Sequence, residues 1–211
     1  MRTLFLNPNA DPAITRVFRF GIAAAIDGRE DYAVRLNAGA PRIIDSLADN
    51  ELAARLMVRQ LPVIGRDFDQ MVVMSSLDTG FDVLRAASPI PVHGFTRSVL
   101  AWQGRRQAKL NPVFFGAELA PAYQGLFEAS GWAGLVAQTR ILPLSPLQAC
   151  AAPETALDAA AEICRELQSV NDCPCFIVGA VGITLSEALA HRGYNVLQPI
   201  PAMLGALDLA P

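Results

Sequence analysis

The chain alternates short apolar runs with longer segments of helical period. That alternation restricts it to strands joined by crossover helices, the pattern of a parallel α/β protein. Strands are expected over residues 3–6, 32–36, 71–74, 91–94, 113–115, 137–142, 175–178 and 195–197, and helices over 11–24, 46–61, 81–87, 120–130, 153–170 and 185–192. Segment 153–170 shows the logic: Leu157, Ala160, Ala161, Cys164 and Leu167 recur at three- and four-residue steps, while Glu154, Asp158, Glu162 and Arg165 take the opposite face.

Two stretches resemble one another. Met71 to Ser75 leads through a turn and a helix to Val92-His93, and Phe176 to Ala180 leads through a turn and a helix to Leu197-Gln198, with equal offsets from Ser75 to His93 and from Ala180 to Gln198. The match reads as two related strand-turn-helix-strand units, although any two such units share this much. In open parallel sheets ligands bind beyond the carboxyl ends of strands, so the loops after Leu6, Met74, Phe115 and Gly179 are the places for a site.

Composition narrows the partners. Among 211 residues 52% are hydrophobic and 18% charged, with a net charge of −3 and basic residues scattered, so the chain has enough apolar matter for one or two cores and no basic stripe for nucleic acid. No apolar run approaches the ~20 residues of a membrane span, and Met1 to Leu6 is too short for a signal peptide, so a cytoplasmic location is expected. Cys150, Cys164, Cys173 and Cys175 are the only cysteines; Cys173-Pro174-Cys175 lacks the spacing of a redox or zinc pair, and all four thiols read as packing groups. Phe18, Phe20, Trp102, Phe114, Phe115 and Trp132 read as packing residues.

The loops carry recognisable text in order along nearly the whole chain. Leu6-Asn7-Pro8-Asn9 followed by Ile14-Thr15, the segment Ala40 to Ser46, Val73-Met74-Ser75-Ser76-Leu77-Asp78-Thr79-Gly80 and Val178-Gly179-Ala180-Val181-Gly182-Ile183 resemble segments of the aspartate/glutamate/hydantoin racemase superfamily. The resemblance implies two pseudo-symmetric Rossmann-like lobes, each a parallel sheet flanked by helices, with a cofactor-free and metal-free site in the cleft between them. It places residues 1–95 with the tail 191–211 in the first lobe and 96–190 in the second. Asn7, Asn9, Ser75, Ser76, Asp78, Ala117, Glu118, Ala180, Val181 and Gly182 become the expected substrate-binding positions.

The resemblance also exposes a gap. Racemases of this superfamily use two thiols, one on each face of the substrate carbon, to take a proton and return one from the opposite side. At the matching positions this sequence has Ser75 and Ala180. A serine hydroxyl is far less acidic than a thiol and needs a partner base, and alanine has no acid–base chemistry, so two-thiol racemisation is not supported. Cys175 begins its strand, roughly 16 Å from the carboxyl end at ~3.3 Å per residue, and does not replace the thiol.

Other readings stay open. His93 could activate a hydroxyl or be structural; Asp78 could act as a base or cap a helix; Glu118 could face the cleft or, as favoured, serve a helix N-terminus. Asn7 and Asn9 could orient a ligand or fold back on their own turn. Two functions follow: a diverged isomerase, racemase or lyase in which Ser75 replaces one thiol, or a non-catalytic protein that binds a small carboxylate or amide-ring compound on backbone amides. A serine hydrolase is disfavoured, because Ser75 lies in no Gly-x-Ser-x-Gly elbow. Nothing in the sequence fixes whether the chain forms a homo-oligomer.

Overall fold

The structure is a computed structural model that describes residues 1–26, 28 and 31–209, so the end of the expected C-terminal tail, residues 210–211, lies outside the described residues. The order of elements is β1 (Thr3–Asn7), α1 (Pro12–Ala25), β2 (Tyr32–Leu36), α2 (Leu47–Asp67), β3 (Gln70–Val73), α3 (Phe81–Ala87), β4 (Val92–Gly94), α4 (Phe95–Arg105), β5 (Asn111–Phe115), α5 (Ala120–Ala129), a 3-10 turn (Ala133–Leu135), β6 (Arg140–Leu142), α6 (Pro146–Ala151), α7 (Pro153–Gln168), β7 (Cys175–Ile177), α8 (Gly179–His191) and α9 (Pro199–Ala206). The strands form two parallel sheets, in the orders β2-β1-β3-β4 and β6-β5-β7.

Parallel strands need both faces covered, and their alternation sorts the core. Leu4, Leu6, Met71 and Val73 face one way, onto Met57, Leu61 and Ile64 of α2 and Leu84 of α3. Phe5 and Val72 face the other way and join a core that runs through Phe18 and Ile22 of α1, Val99 of α4 and Met203 of α9 into the second lobe, reaching Phe114, Tyr123 and Phe176. The two sheets therefore share one continuous apolar core.

Register brings the carboxyl ends into line. Leu6 pairs with Arg35 and Val73, and Val113 pairs with Arg140 and Ile177, so the loops after β1, β3, β5 and β7 leave at corresponding edges. The two related units are visible: β4 lies beside β3, and Val196 makes a single bridge beside β7 at Cys175.

Several boundaries differ from the expectations. The strand expected over 195–197 is reduced to that bridge, and β6 begins only at Arg140. Helix α2 continues through Pro62 to Asp67, because Leu61 and Ile64 on its buried face hold the turn that a proline weakens. Helix α8 begins at Gly179 and not at 185: Gly179 takes φ +87° and the chain turns directly into the helix. Helices α4, α6 and α9 fall outside the helical ranges named from the sequence. Helix α9 packs its buried Ile200, Met203 and Leu204 against α4 and α1.

Candidate functional site

The loop after β1 is built by two asparagines. Asn7 is fully buried; its Nδ2 donates to Thr15 Oγ1, and its Oδ1 accepts from the backbone and side-chain nitrogens of Asn9 at 3.0 and 2.9 Å. Asn7 is thus consumed by the turn. Asn9 Oδ1 in turn accepts from Ile44 N at 2.9 Å, which fixes the stretch after β2 alongside this loop.

The loop after β3 separates its two serines. Ser75 Oγ lies 2.6 Å from Thr79 Oγ1, whose hydroxyl donates to Asn50 Oδ1, so this hydroxyl is held inside the first lobe. Ser76 Oγ lies 2.9 Å from Tyr123 OH on α5, in the second lobe. Tyr123 is buried against Phe114, with ring centroids 4.6 Å apart, and burial pushes its hydroxyl up to about 12, so it stays protonated.

Asp78 turns away from both serines. It adopts φ +48°, and its carboxylate accepts from the amides of Thr96 and Arg97 at 2.8 and 3.0 Å, capping α4 and not its own helix. Thr96 Oγ1 donates back to Ser76 O at 2.7 Å, so the start of α4 holds the serine loop. Burial drives the Asp78 carboxyl up to about 7, against the two amides and the Arg97 guanidinium 3.7 Å away.

From the second lobe, α8 contributes its first turn. The N-terminus of this 13-residue helix has no side-chain cap and no acidic residue, so its free amides form an anion-favouring end. Gly179 comes close to Ser76: a Cβ built there would lie 3.6 Å from Ser76 Oγ.

These pieces line a partly open cavity of about 50 Å³ at the carboxyl ends of both sheets. Its polar lining is Asn9, Ser75, Ser76, Tyr123 and Cys150, beside Gly179, Ala180 and Val181, and its apolar lining includes Ile43, Ile44, Met74 and Phe115. Ser75 and Ala180 therefore reach the same cavity, but the hydroxyl that crosses to the second lobe is that of Ser76. Asp78 and Gly182 lie off the cavity, the latter packed where a side chain would strike the Ile177 carbonyl. Ala117 and Glu118 are exposed and off the cavity, with Glu118 directly ahead of the N-cap Leu119 of α5. His93 lies in β4 on a different groove, beside Arg97 and Arg105, and burial lowers its basicity.

Cys150 is the pocket-lining residue that sequence reasoning missed. Read there as a packing group, it stands on α6 at the cavity wall with part of its surface exposed, and burial of the rest, with the charges of Asp11 and Asp45, pushes its thiol up. The signal was present: Ser145-Pro146-Leu147-Gln148 is a capping box with proline at the first helical position, and both reciprocal bonds form. Cys164 and Cys175 are buried at the far end of β7 in contact with each other, as expected of packing thiols. Among the described residues no group of three His, Cys, Asp or Glu side chains is placed to hold a metal ion.

The sequence pattern of the family described as Asp/Glu/Hydantoin racemase matches residues 4–207. No curated protein matches the chain in sequence. Among solved structures, allantoin racemase from Klebsiella pneumoniae is 18% identical with a TM-score of 0.82 over 100% of this chain and 89% of that one. Allantoin racemase from Pseudomonas fluorescens is 16% identical with a TM-score of 0.83, over 99% and 90%. Glutamate racemase from Thermus thermophilus is 13% identical with a TM-score of 0.63, over 100% and 82%. At these identities the likeness is one of fold.

Proposed function

We propose, for a chain that belongs to the Asp/Glu/hydantoin racemase family, that the pocket between its lobes binds a small carboxylate or amide-ring metabolite without a cofactor and does not racemise it through two thiols. The observation that carries this reading is the Ser76–Tyr123 hydroxyl pair beside the uncapped start of α8 in one cavity. Their mutual bond uses one of the two hydroxyl protons and leaves the other for a ligand oxygen. Amides of the first turn of α8 supply the remaining donors to a carboxylate or an imide carbonyl.

Residues 75 and 180 are Ser and Ala, so the two positions that resemble the family's thiols carry no sulfur. The cavity's only cysteine among the described residues is Cys150, and its thiol is made less acidic by its surroundings, which suits a wall better than a base. Asn9, Ser76, Tyr123, Ala180 and Val181 are the positions we assign to ligand contact, with Asn7 and Asp78 holding the loops in place. No helix among the described residues is long and apolar enough to cross a membrane, and we place the protein in the cytoplasm.

A second reading, a diverged isomerase or lyase, is favoured by that same Cys150, because one thiol suffices for a single proton transfer. Both are tested together by a panel of hydantoins, substituted malonates and amino acids. Binding predicts that a panel member raises the melting temperature, that Ser76→Ala and Tyr123→Phe weaken the shift, and that no deuterium enters the ligand in heavy water. Deuterium uptake lost in Cys150→Ser would establish the isomerase instead, and no shift with any member would overturn the binding reading.

A further inference from the structure

The pocket is too small for the ligand class assigned to it. About 50 Å³ is a small fraction of the roughly 300 Å³ at which pockets for small molecules begin. Admission of a ring or an amino acid therefore requires walls to part. Two of those walls come from different lobes: Ile43 and Ile44 from the stretch after β2, and Pro146 and Cys150 from α6.

One carboxylate ties these walls together. Asp45 Oδ1 accepts from Leu147 N at 2.8 Å, and its Oδ2 accepts from Ser145 Oγ at 3.0 Å, so a first-lobe side chain caps a second-lobe helix. On its own side Asp45 is firmly based: Ile44 N is held by Asn9, Ala10 N donates to Pro41 O, and Ser46 caps α2. On the other side α6 does not depend on Asp45, since Ser145 and Gln148 bond reciprocally. The contact is thus one that can break without unravelling either wall, and Asp45 is solvated enough for water to replace it.

We propose that Asp45 is a latch across the lobes: the pocket admits its ligand when the bonds to Ser145 and Leu147 open, and closes over it when they re-form. This deepens the binding reading and rests on it for the ligand, but the latch itself is testable without one. A reporter thiol is introduced inside the cavity by Ala180→Cys in a Cys150→Ser background, and its labelling by N-ethylmaleimide is followed by peptide mass spectrometry. Rates are divided by the thiolate fraction from each variant's own pH–rate profile, which removes the effect of the Asp45 charge on the thiol.

With Asp45 intact, labelling is slow, and Asp45→Asn or Asp45→Ala speeds it about tenfold. Corrected rates that agree within about twofold, or an intact-latch rate equal to that of the urea-unfolded chain, overturn the proposal. Should the Asp45 variants fail to fold by circular dichroism, Ser145→Ala takes their place: it keeps Asp45 but removes one latch bond, labelling quickens severalfold, and an unchanged corrected rate overturns the latch. Because no metabolite is added, a failed ligand panel and a failed latch are separate results.

Discussion

The Ser76 hydroxyl sits 2.9 Å from the Tyr123 hydroxyl, a bond between residues 47 apart in sequence that joins the two lobes in the wall of the pocket. Removing the Ser76 hydroxyl leaves that of Tyr123 buried without this partner, and removing the Tyr123 hydroxyl leaves the half-buried Ser76 with one bond fewer. Ser76→Ala and Tyr123→Phe are each expected to cost about 1–3 kcal/mol by urea unfolding. The double variant costs less than the sum, by about 0.5 kcal/mol or more if the bond matters in solution. Strict additivity would mean that it does not.

Asp78 makes stability depend on pH. The folded chain holds its proton more tightly than the unfolded one, so its contribution is complete below pH 3.8 and is lost as the pH rises through about 7. Asp11 works in the opposite sense: the Ala13 amide and then Arg42 lower its carboxyl, and its contribution is lost in acid. Melting temperatures of the wild type and Asp78→Asn, measured from pH 5 to 8, isolate the first effect. The wild type should lose stability relative to the variant as the pH rises; parallel curves would contradict it.

Gly182 has no room for a methyl group, since a Cβ there would meet the Ile177 carbonyl inside the turn that opens α8. Gly182→Ala is expected to destabilise the chain by about 1–3 kcal/mol, the usual cost of overpacking. Gly125 has nothing within 4 Å of its built Cβ, and Gly125→Ala should be neutral or mildly stabilising in the same assay.

The Cys150 thiol is pushed up first by burial and then by Asp11 and Asp45, so its alkylation by iodoacetamide at pH 7 should be slower than that of free cysteine and should quicken above pH 9. A ligand in the pocket should protect it. Cys164 and Cys175, with no exposed surface, should react only on unfolding. Rapid labelling of Cys150 at neutral pH would contradict the assigned environment.

Much of this architecture was legible in the residues. Apolar period and the Gly80 turn placed α3 over Phe81–Ala87, and a short apolar run placed β2 over Tyr32–Leu36, as expected, because both signals are written within a few residues. Helix α9 escaped notice because its apolar residues lie all around it, leaving no polar face to mark a period. Gly179 and Gly182 read as loop formers, yet one starts α8 at positive φ and the other lets it pack against Ile177.

By itself the sequence determined a parallel α/β chain, its family, the loops proposed to carry the site, and the absence of sulfur at positions 75 and 180. Only the tertiary structure decided which serine faces the second lobe, that Asp78 caps α4, that Asp45 bridges to α6, and that Cys150 stands on the pocket wall. The reason is range. Periodicity and capping act over a few residues, whereas these pairings join residues 18 to 102 positions apart and exist only once packing of both sheets has fixed where each loop points.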